Sequence, residues 1–378
     1  MNRVLSAETI SPELEAGGIL TVDLAALTAN WQLLGRRSLP AEVAAVVKAD
    51  AYGCGLEPVA SALLRAGCKT FFVASIGEGR RLRSIAPEAA IYVLNGFPPG
   101  TGPAFAECRL QPVIGNMAEM AEWDAFRTSA GWPGEWAVHV DTGMNRLGLS
   151  VAEASALAPR LERQHHGITL VMSHLVAAEI ADHPLNAQQI EAFREIRRLF
   201  RGVTASLANS SGVFLGPAAQ FDLVRPGVAL YGANPTPSAA NPMQPVVELK
   251  ARVIQVRTIQ RDQTVGYDAT WTARRTSRIA VVGIGYADGY LRAASAADGV
   301  AGGEAVVAGQ RCPIAGRISM DLLALDVTEI GGGVRRGDLV TLLGDGIGID
   351  DLAAFGSTIA YEVLTSLGRR YHRVYRTG

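Results

Sequence analysis

Short apolar runs recur between stretches of helical periodicity through the first two thirds of the 378-residue chain, and this alternation limits the fold more than any other feature. The runs at 43–47, 71–74, 91–94, 112–114, 136–140, 169–172, 204–207 and 223–230 predict strands. Helical patterns fall at 24–35, 56–66, 76–85, 117–129, 151–164 and 186–200. Strands alternating with helices build right-handed βαβ units and a parallel sheet. Eight such strands predict a closed (β/α)8 TIM-type barrel rather than an open doubly wound sheet.

The texture changes at 233–245, where Pro235, Pro237, Pro242 and Pro245 crowd one short segment. Proline removes an N–H donor, so this stretch continues neither a helix nor a central strand. Alternating β-branched runs follow at 246–258, 277–284, 304–307, 322–327 and 339–343, separated by glycine turns such as Gly331-Gly332-Gly333. They predict a C-terminal mostly-β domain, closed by short helices at 349–354 and 358–367. The expected division is a barrel over 14–245 and a β-domain over 246–378, which residues 1–13 could join.

The formal net charge is −1, with no basic stripe of the kind a nucleic-acid binder needs. Cys54, Cys68, Cys108 and Cys312 stand far apart without a CxxC pair. They read as free thiols in a reducing compartment, forming neither a disulfide framework nor a metal site. The first residues carry Glu8, Glu13 and Glu15 and lack the apolar centre of a signal peptide. No window approaches the 18 or so apolar residues of a membrane span. A cytoplasmic protein is expected.

Barrels place their chemistry at the C-terminal ends of the strands. Lys48 ends the first run, Asp141 to Gly148 follows the fifth, and Ser173-His174 ends the sixth. Asn209-Ser210-Ser211-Gly212 ends the seventh, and Arg225-Pro226-Gly227-Val228 interrupts the last. Each has an ordinary reading alone: a lysine can snorkel from a strand end, and a histidine can simply satisfy a hydrogen bond. Gathered on one rim, they form the polar cluster that a ligand site needs.

The stretch Val47-Lys48-Ala49-Asp50-Ala51-Tyr52-Gly53-Cys54-Gly55 resembles the pyridoxal-phosphate lysine motif of alanine racemases, V-K-A-[ND]-A-Y-G-H-G. Only Cys54 departs from it, where histidine is usual. Seven further motifs look like those of the same family and occur in its order. These are V-D-T-G-M-x-R-L-G at 140–148, A-N-S at 208–210, V-R-P-G-x-A-L-Y-G at 224–232, V-G-Y at 265–267, G-Y-A-D-G at 285–289, G-R-I-S-M-D at 316–321 and I-x-Y-E-V-L at 359–364.

The resemblance implies racemisation of L- and D-alanine by a pyridoxal 5'-phosphate enzyme with two bases, serving cell-wall synthesis or alanine catabolism. It implies that Lys48 carries the cofactor and acts as one base, and that Tyr267 is the other. Tyr52, Ser210, the backbone at Gly227 and Val228, and Tyr361 match the phosphate cradle. His174 and Asn209 match residues beside the cofactor ring, and Arg225 matches the partner of its pyridine nitrogen. Arg146 and Met320 match residues around the substrate carboxylate, while Tyr286, Arg292 and Asp321 match an entry corridor. The family further implies a small amino-acid substrate and a head-to-tail homodimer whose sites are shared between chains. A broad-specificity or serine racemase would use the same groups. A barrel-type decarboxylase pairs the pyridine nitrogen with a carboxylate, which Arg225 opposes. A non-catalytic pyridoxal-phosphate carrier is a barrel alone, which the β-domain and Tyr267 oppose.

His139 stands where many members carry a carboxylated lysine that orients the arginine matching Arg146. An imidazole offers no carbamate. Racemisation rates at one pH are therefore expected to agree in degassed and bicarbonate-supplemented buffer. A several-fold bicarbonate stimulation would place the carbamate on another lysine.

Overall fold

A computed structural model describes residues 12–162 and 166–377. Two compact units emerge: residues 25–244, and residues 12–24 together with 245–377. The second unit takes the first strand of the described residues, β1 (Gly18–Asp23).

Residues 25–244 form the barrel. Its strands in chain order are β2 (Glu42–Val43), β3 (Ala45–Val46), β4 (Thr70–Val73), β5 (Ala90–Val93), β6 (Gln111–Ile114), β7 (Trp136–His139), β8 (Ile168–Met172), β9 (Thr204–Ser206) and β10 (Leu223–Val224). Strands β3 to β9 pair in sequence order, all parallel. Ala44 separates β2 from β3, yet its N–H donates to the Val224 carbonyl at 3.0 Å, so the two are one stave. The ring closes through β10, which pairs with β2, and just past it the Pro226 carbonyl accepts the Val46 N–H. On its other side Arg225 N–H donates to the Ala208 carbonyl at 2.9 Å, joining β10 to the segment after β9. Eight parallel staves thus close the barrel among the described residues.

Local sequence accounts for the helices. Ser75 caps the helix Ile76–Ile85, accepting the Glu78 N–H while the Glu78 carboxylate accepts the Ser75 N–H. This reciprocal pair satisfies two otherwise orphaned donors. Asn116 caps Met117–Ala130 through the Glu119 N–H at 2.9 Å. The predicted strand over 223–230 is cut short because Pro226 cannot donate; the chain turns into a 3-10 helix at Val228–Tyr231. The predicted helix over 151–164 ends at Leu157 and tightens into a 3-10 turn over Ala158–Glu162; residues 163 and 164 lie outside the described residues. A short helix, Gly102–Glu107, has no counterpart in the sequence reading.

The β-unit centres on β11 (Val247–Ile259), a strand of 13 residues. Its first half pairs antiparallel with β1, Gly18 opposite Ala251 and Val22 opposite Val247. After a bulge between Val253 and Gln255, its second half pairs with Ser277–Val282. Strand Leu339–Leu343 also pairs with β11, and Leu323–Asp326 pairs with Ser277–Val282. The other edge of β1 pairs parallel with His372–Arg376.

The barrel unit therefore begins at residue 25, not at residue 14. An apolar run announces a strand without naming its partner, and the partners of β1 lie more than 200 residues away. Residues 12 and 13 lie in the same contact unit as β1; residues 1–11 lie outside the described residues. Strands Gln310–Pro313 and His372–Arg376 were also unmarked, being short and rich in polar residues.

Leu20 is fully buried in the middle of β1. Leu20→Ala is expected to lower stability by about 2 to 5 kcal/mol, read by urea denaturation. A loss well under that range would contradict a packed central strand.

Candidate active site

Lys48 stands two residues past the end of β3, and what comes next is unusual. Ala49, Asp50, Ala51 and Tyr52 all have φ between 53° and 54°. Four successive non-glycine residues make a left-handed helical turn, against the steric preference of L-residues. Three anchors hold it. Ala51 N–H donates to Val47 and Gly53 N–H to Ala49, at 3.0 and 2.9 Å. The Glu78 carboxylate accepts the Ala49 N–H at 2.7 Å and the Ala74 N–H at 2.8 Å. Asp50 pairs with Arg81 at 2.7 Å, and its carboxylate also accepts the Leu56 N–H at 3.2 Å. Burial lowers the Lys48 amine from its ordinary value, Arg146 lowers it further, and Glu78 opposes both. A neutral amine is the nucleophilic form.

Glu78 escaped the sequence reading. The signal was present: Ser-x-x-Glu directly after a strand is a capping box, and its acid sits one βα loop from Lys48.

Arg225 lies at the end of β10 with 4% of its surface exposed. Its Nη1 donates to Ser206 Oγ, and its Nη2 to the Ser173 carbonyl at 2.6 Å and the Leu207 carbonyl at 3.4 Å. Burial pulls the guanidinium down to about 9, so it remains a cation at neutral pH. Two histidines answer to that charge. His174 is pushed down to about 3 by burial first, then by Arg225, Arg146, His139 and Lys48. His139, at the end of β7, is pushed down to about 4 by burial and then Arg225, with Asp141 opposing. Both are neutral rings under physiological conditions.

Arg146 is exposed on the loop after β7. Asp141 shapes that loop: its carboxylate accepts the N–H groups of Gly143, Met144 and Asn145 at 2.8 to 2.9 Å.

Donors converge at a fourth point. Ser210 Oγ accepts the N–H of Gly227 at 2.9 Å and of Ala229 at 3.2 Å, which aims its hydroxyl and clusters the turn's amides around it. Tyr52 stacks on Tyr231 with ring centroids 4.6 Å apart. A Cβ on residue 227 would lie 2.2 Å from the Tyr52 hydroxyl, so only glycine leaves the gap open. Val228 is buried in the same turn, and Asn209 uses its Oδ1 to accept the Gly212 N–H at 2.9 Å. Hydroxyls and main-chain amides of this kind suit a phosphate. The set fits pyridoxal phosphate: an amine for its carbonyl, hydroxyls and amides for its phosphate, a guanidinium for an acceptor nitrogen. Among the described residues no cluster of His, Cys, Asp and Glu could hold a metal.

The remaining predicted residues belong to the β-unit. Tyr267 is 69% exposed, on a 3-10 turn over Tyr267–Ala269 that an Asp268–Arg317 ion pair ties down. It borders a cavity of about 410 Å³ lined by Ile259, Val265, Ile279 and Leu323. Tyr286 N–H donates to the Ser319 carbonyl and Ala287 N–H to the Met320 carbonyl, at 3.1 and 2.9 Å. Tyr286 and Met320 therefore share one loop cluster, as does Asp321, which pairs with Arg370 at 2.8 Å. Arg292 joins through Ser295, which accepts the Ile318 N–H and donates to the Arg292 carbonyl. Tyr361 is half-buried on the helix Ala360–Ser366.

Two family models match, the N-terminal domain of alanine racemase over residues 22–235 and the C-terminal domain over residues 246–375. The chain belongs to the alanine racemase family. A protein named alanine racemase from Methylobacterium sp. strain 4-46 is 50% identical over 360 residues, 95% of this chain and 98% of that protein. One of the same name from Rhizobium meliloti strain 1021 is 48% identical, covering 97% of this chain and 99% of its own. The crystal structure of alanine racemase from Bartonella henselae with covalently bound pyridoxal phosphate superposes with a TM-score of 0.90 at 38% identity, covering 95% and 99% of the two chains. Family membership and the barrel-plus-β architecture thus agree with the fold described above.

A histidine kept neutral by the fold protonates more readily once unfolded. Stability is then full above the ordinary value of 6.5 and declines as pH falls from there toward 4, the folded value for His139. His139→Gln should flatten part of that decline in urea midpoints measured across the interval. Parallel curves for the two proteins would mean that His139 is not held neutral.

Proposed function

We propose that this chain interconverts L- and D-alanine with pyridoxal 5'-phosphate, using Lys48 and Tyr267 as its two bases. The observation that carries the reading is the Lys48 amine, lowered by burial and within electrostatic reach of Arg146 and His174, at the C-terminal end of a barrel strand. Pyridoxal phosphate supplies, when bound, an electron sink that makes the substrate α-hydrogen removable. The chain's own groups do the rest. Lys48 holds the cofactor and takes or returns the α-proton on one face. Tyr267 does so on the other. Arg225 has only N–H groups to offer, so it keeps an acceptor nitrogen unprotonated. That restraint favours return of the proton to the α-carbon over its transfer elsewhere. Ser210, Tyr52, Tyr361 and the amides at Gly227 and Val228 bind the phosphate; His174 and Asn209 flank the ring. Arg146 and Met320 orient the substrate carboxylate, and Tyr286, Arg292 and Asp321 line its approach.

The second base belongs, in this reading, to a second copy of the chain in a cytoplasmic homodimer. Family membership supports this, as does a Tyr267 that is mostly exposed on a turn of the β-unit.

Lys48→Ala should abolish racemisation and borohydride trapping of the cofactor on a folded protein; trapping at another lysine would overturn the assignment. Tyr267→Phe should cost about 10² to 10⁴ in rate, the usual worth of a general base. In deuterated water that variant should still exchange the α-hydrogen of D-alanine through Lys48 while exchange of L-alanine collapses. Equal loss for both enantiomers would make Tyr267 structural. Mixing the two variants should restore activity if the tyrosine acts in trans; no recovery after demonstrated subunit exchange would place both bases on one chain.

A further inference from the structure

Gln189 is fully buried on the helix Pro184–Leu199, and its amide is spent on two active-site loops at once. Oε1 accepts the Val176 N–H at 2.8 Å. Nε2 donates to the His174 carbonyl at 2.9 Å and to Thr142 Oγ1 at 3.2 Å. The orientation of the amide is dictated by its partners, since a backbone N–H can only donate and a carbonyl can only accept. Thr142 Oγ1 in turn bonds Ser173 Oγ at 2.7 Å, and the Ser173 carbonyl is the acceptor of Arg225. One side chain thereby couples the loop after β7, which carries Arg146, to the loop after β8, which carries His174.

We propose that Gln189 is a positioning residue that sets the two loops in register, so that Arg146 and His174 are presented to substrate and cofactor together. Asn186, one turn earlier on the same helix, supplies the contrast. Its Nδ2 donates to the carbonyls of Ala177, Ile180 and Ala181 at 2.9 to 3.4 Å, which secures only the distal part of the β8 loop. Both amides pin backbone, but of the two only Gln189 reaches the Arg146 loop. The proposal rests on the assignment of Arg146 to the substrate carboxylate.

The test compares Gln189→Met, Thr142→Val, the double variant and Asn186→Leu as holoenzymes. Gln189→Met keeps the volume and removes every bond; Thr142→Val removes the bridge and leaves the helix untouched. KM for both alanine enantiomers is expected to rise about tenfold in each of the first two, with kcat less affected, as misplacement of a substrate-positioning group would produce. The double variant should fall short of additivity because both changes cut one network. Diethylpyrocarbonate labelling of His174, followed by mass spectrometry, should quicken several-fold in Gln189→Met. Asn186→Leu should lower Tm and leave KM and labelling near wild type. Unchanged KM and labelling in Gln189→Met and Thr142→Val would overturn the proposal whatever their Tm. An equal KM rise in Asn186→Leu would overturn it too, since loop packing alone would then account for the effect. If Gln189→Met fails to fold, Thr142→Val decides. If the wild type lacks racemase activity, the functional reading fails, and the labelling of His174 still judges Gln189.

Discussion

A buried guanidinium must find acceptors, and Arg225 takes them from the ends of two neighbouring staves. Removing a cation from water costs several kcal/mol unless its hydrogen bonds are replaced. Ser206 and the carbonyls of Ser173 and Leu207 replace them, and in doing so set the spacing of β8, β9 and β10 at their C-terminal ends. The same charge then governs its surroundings. Burial first, and then the charges of Arg225 and Arg146, deny His139 and His174 their protons, and the rim holds cations and neutral rings rather than imidazolium. Such a rim attracts an anionic ligand and leaves the imidazoles able to accept hydrogen bonds.

The Lys48 turn solves a different problem. A lysine has four rotatable bonds, and aiming its amine takes a rigid base. The left-handed turn costs about 1 to 2 kcal/mol for each of its residues. It is offset by a carboxylate bonded to its first amide, an ion pair at Asp50 and a stacked Tyr52. Strain held in place by over-determined contacts is a mark of functional segments.

Much of this was readable in the residues. The eight strand runs fell where staves formed, because a parallel strand buried on both faces is apolar along its whole length. Helices 56–66 and 76–85 came out at their observed bounds, the second because Ser75 and Glu78 cap it. The rim residues Lys48, Asp141 to Arg146, His174, Ser210 and Arg225 were legible because barrel strands deliver their ends to one face. Three features were not. The strand β1 was invisible as a member of the β-unit, since pairing is a property of two distant segments. The handedness of residues 49–52 was hidden because alanine and tyrosine carry no sign of positive φ and a single aspartate carries only a weak one. The burial of Gln189 depends on loops that come from elsewhere, and nothing in its own segment signals it.

The placement of β1 bears on how the molecule is made. Its two sheet neighbours are β11 and the strand His372–Arg376, one following the barrel and the other near the end of the described chain. The barrel is in effect inserted between strands of one sheet. On a ribosome releasing roughly 5 to 20 residues per second, β1 emerges ahead of the barrel and waits without its sheet partners for the time that the barrel takes to appear. The barrel, contiguous from residue 25 to 244, has all its staves in hand before β11 is synthesised. The β-unit closes last, and until then β1 is an apolar strand with both edges open. A nascent chain of this topology therefore holds that strand without its sheet partners for the whole time the barrel is being made.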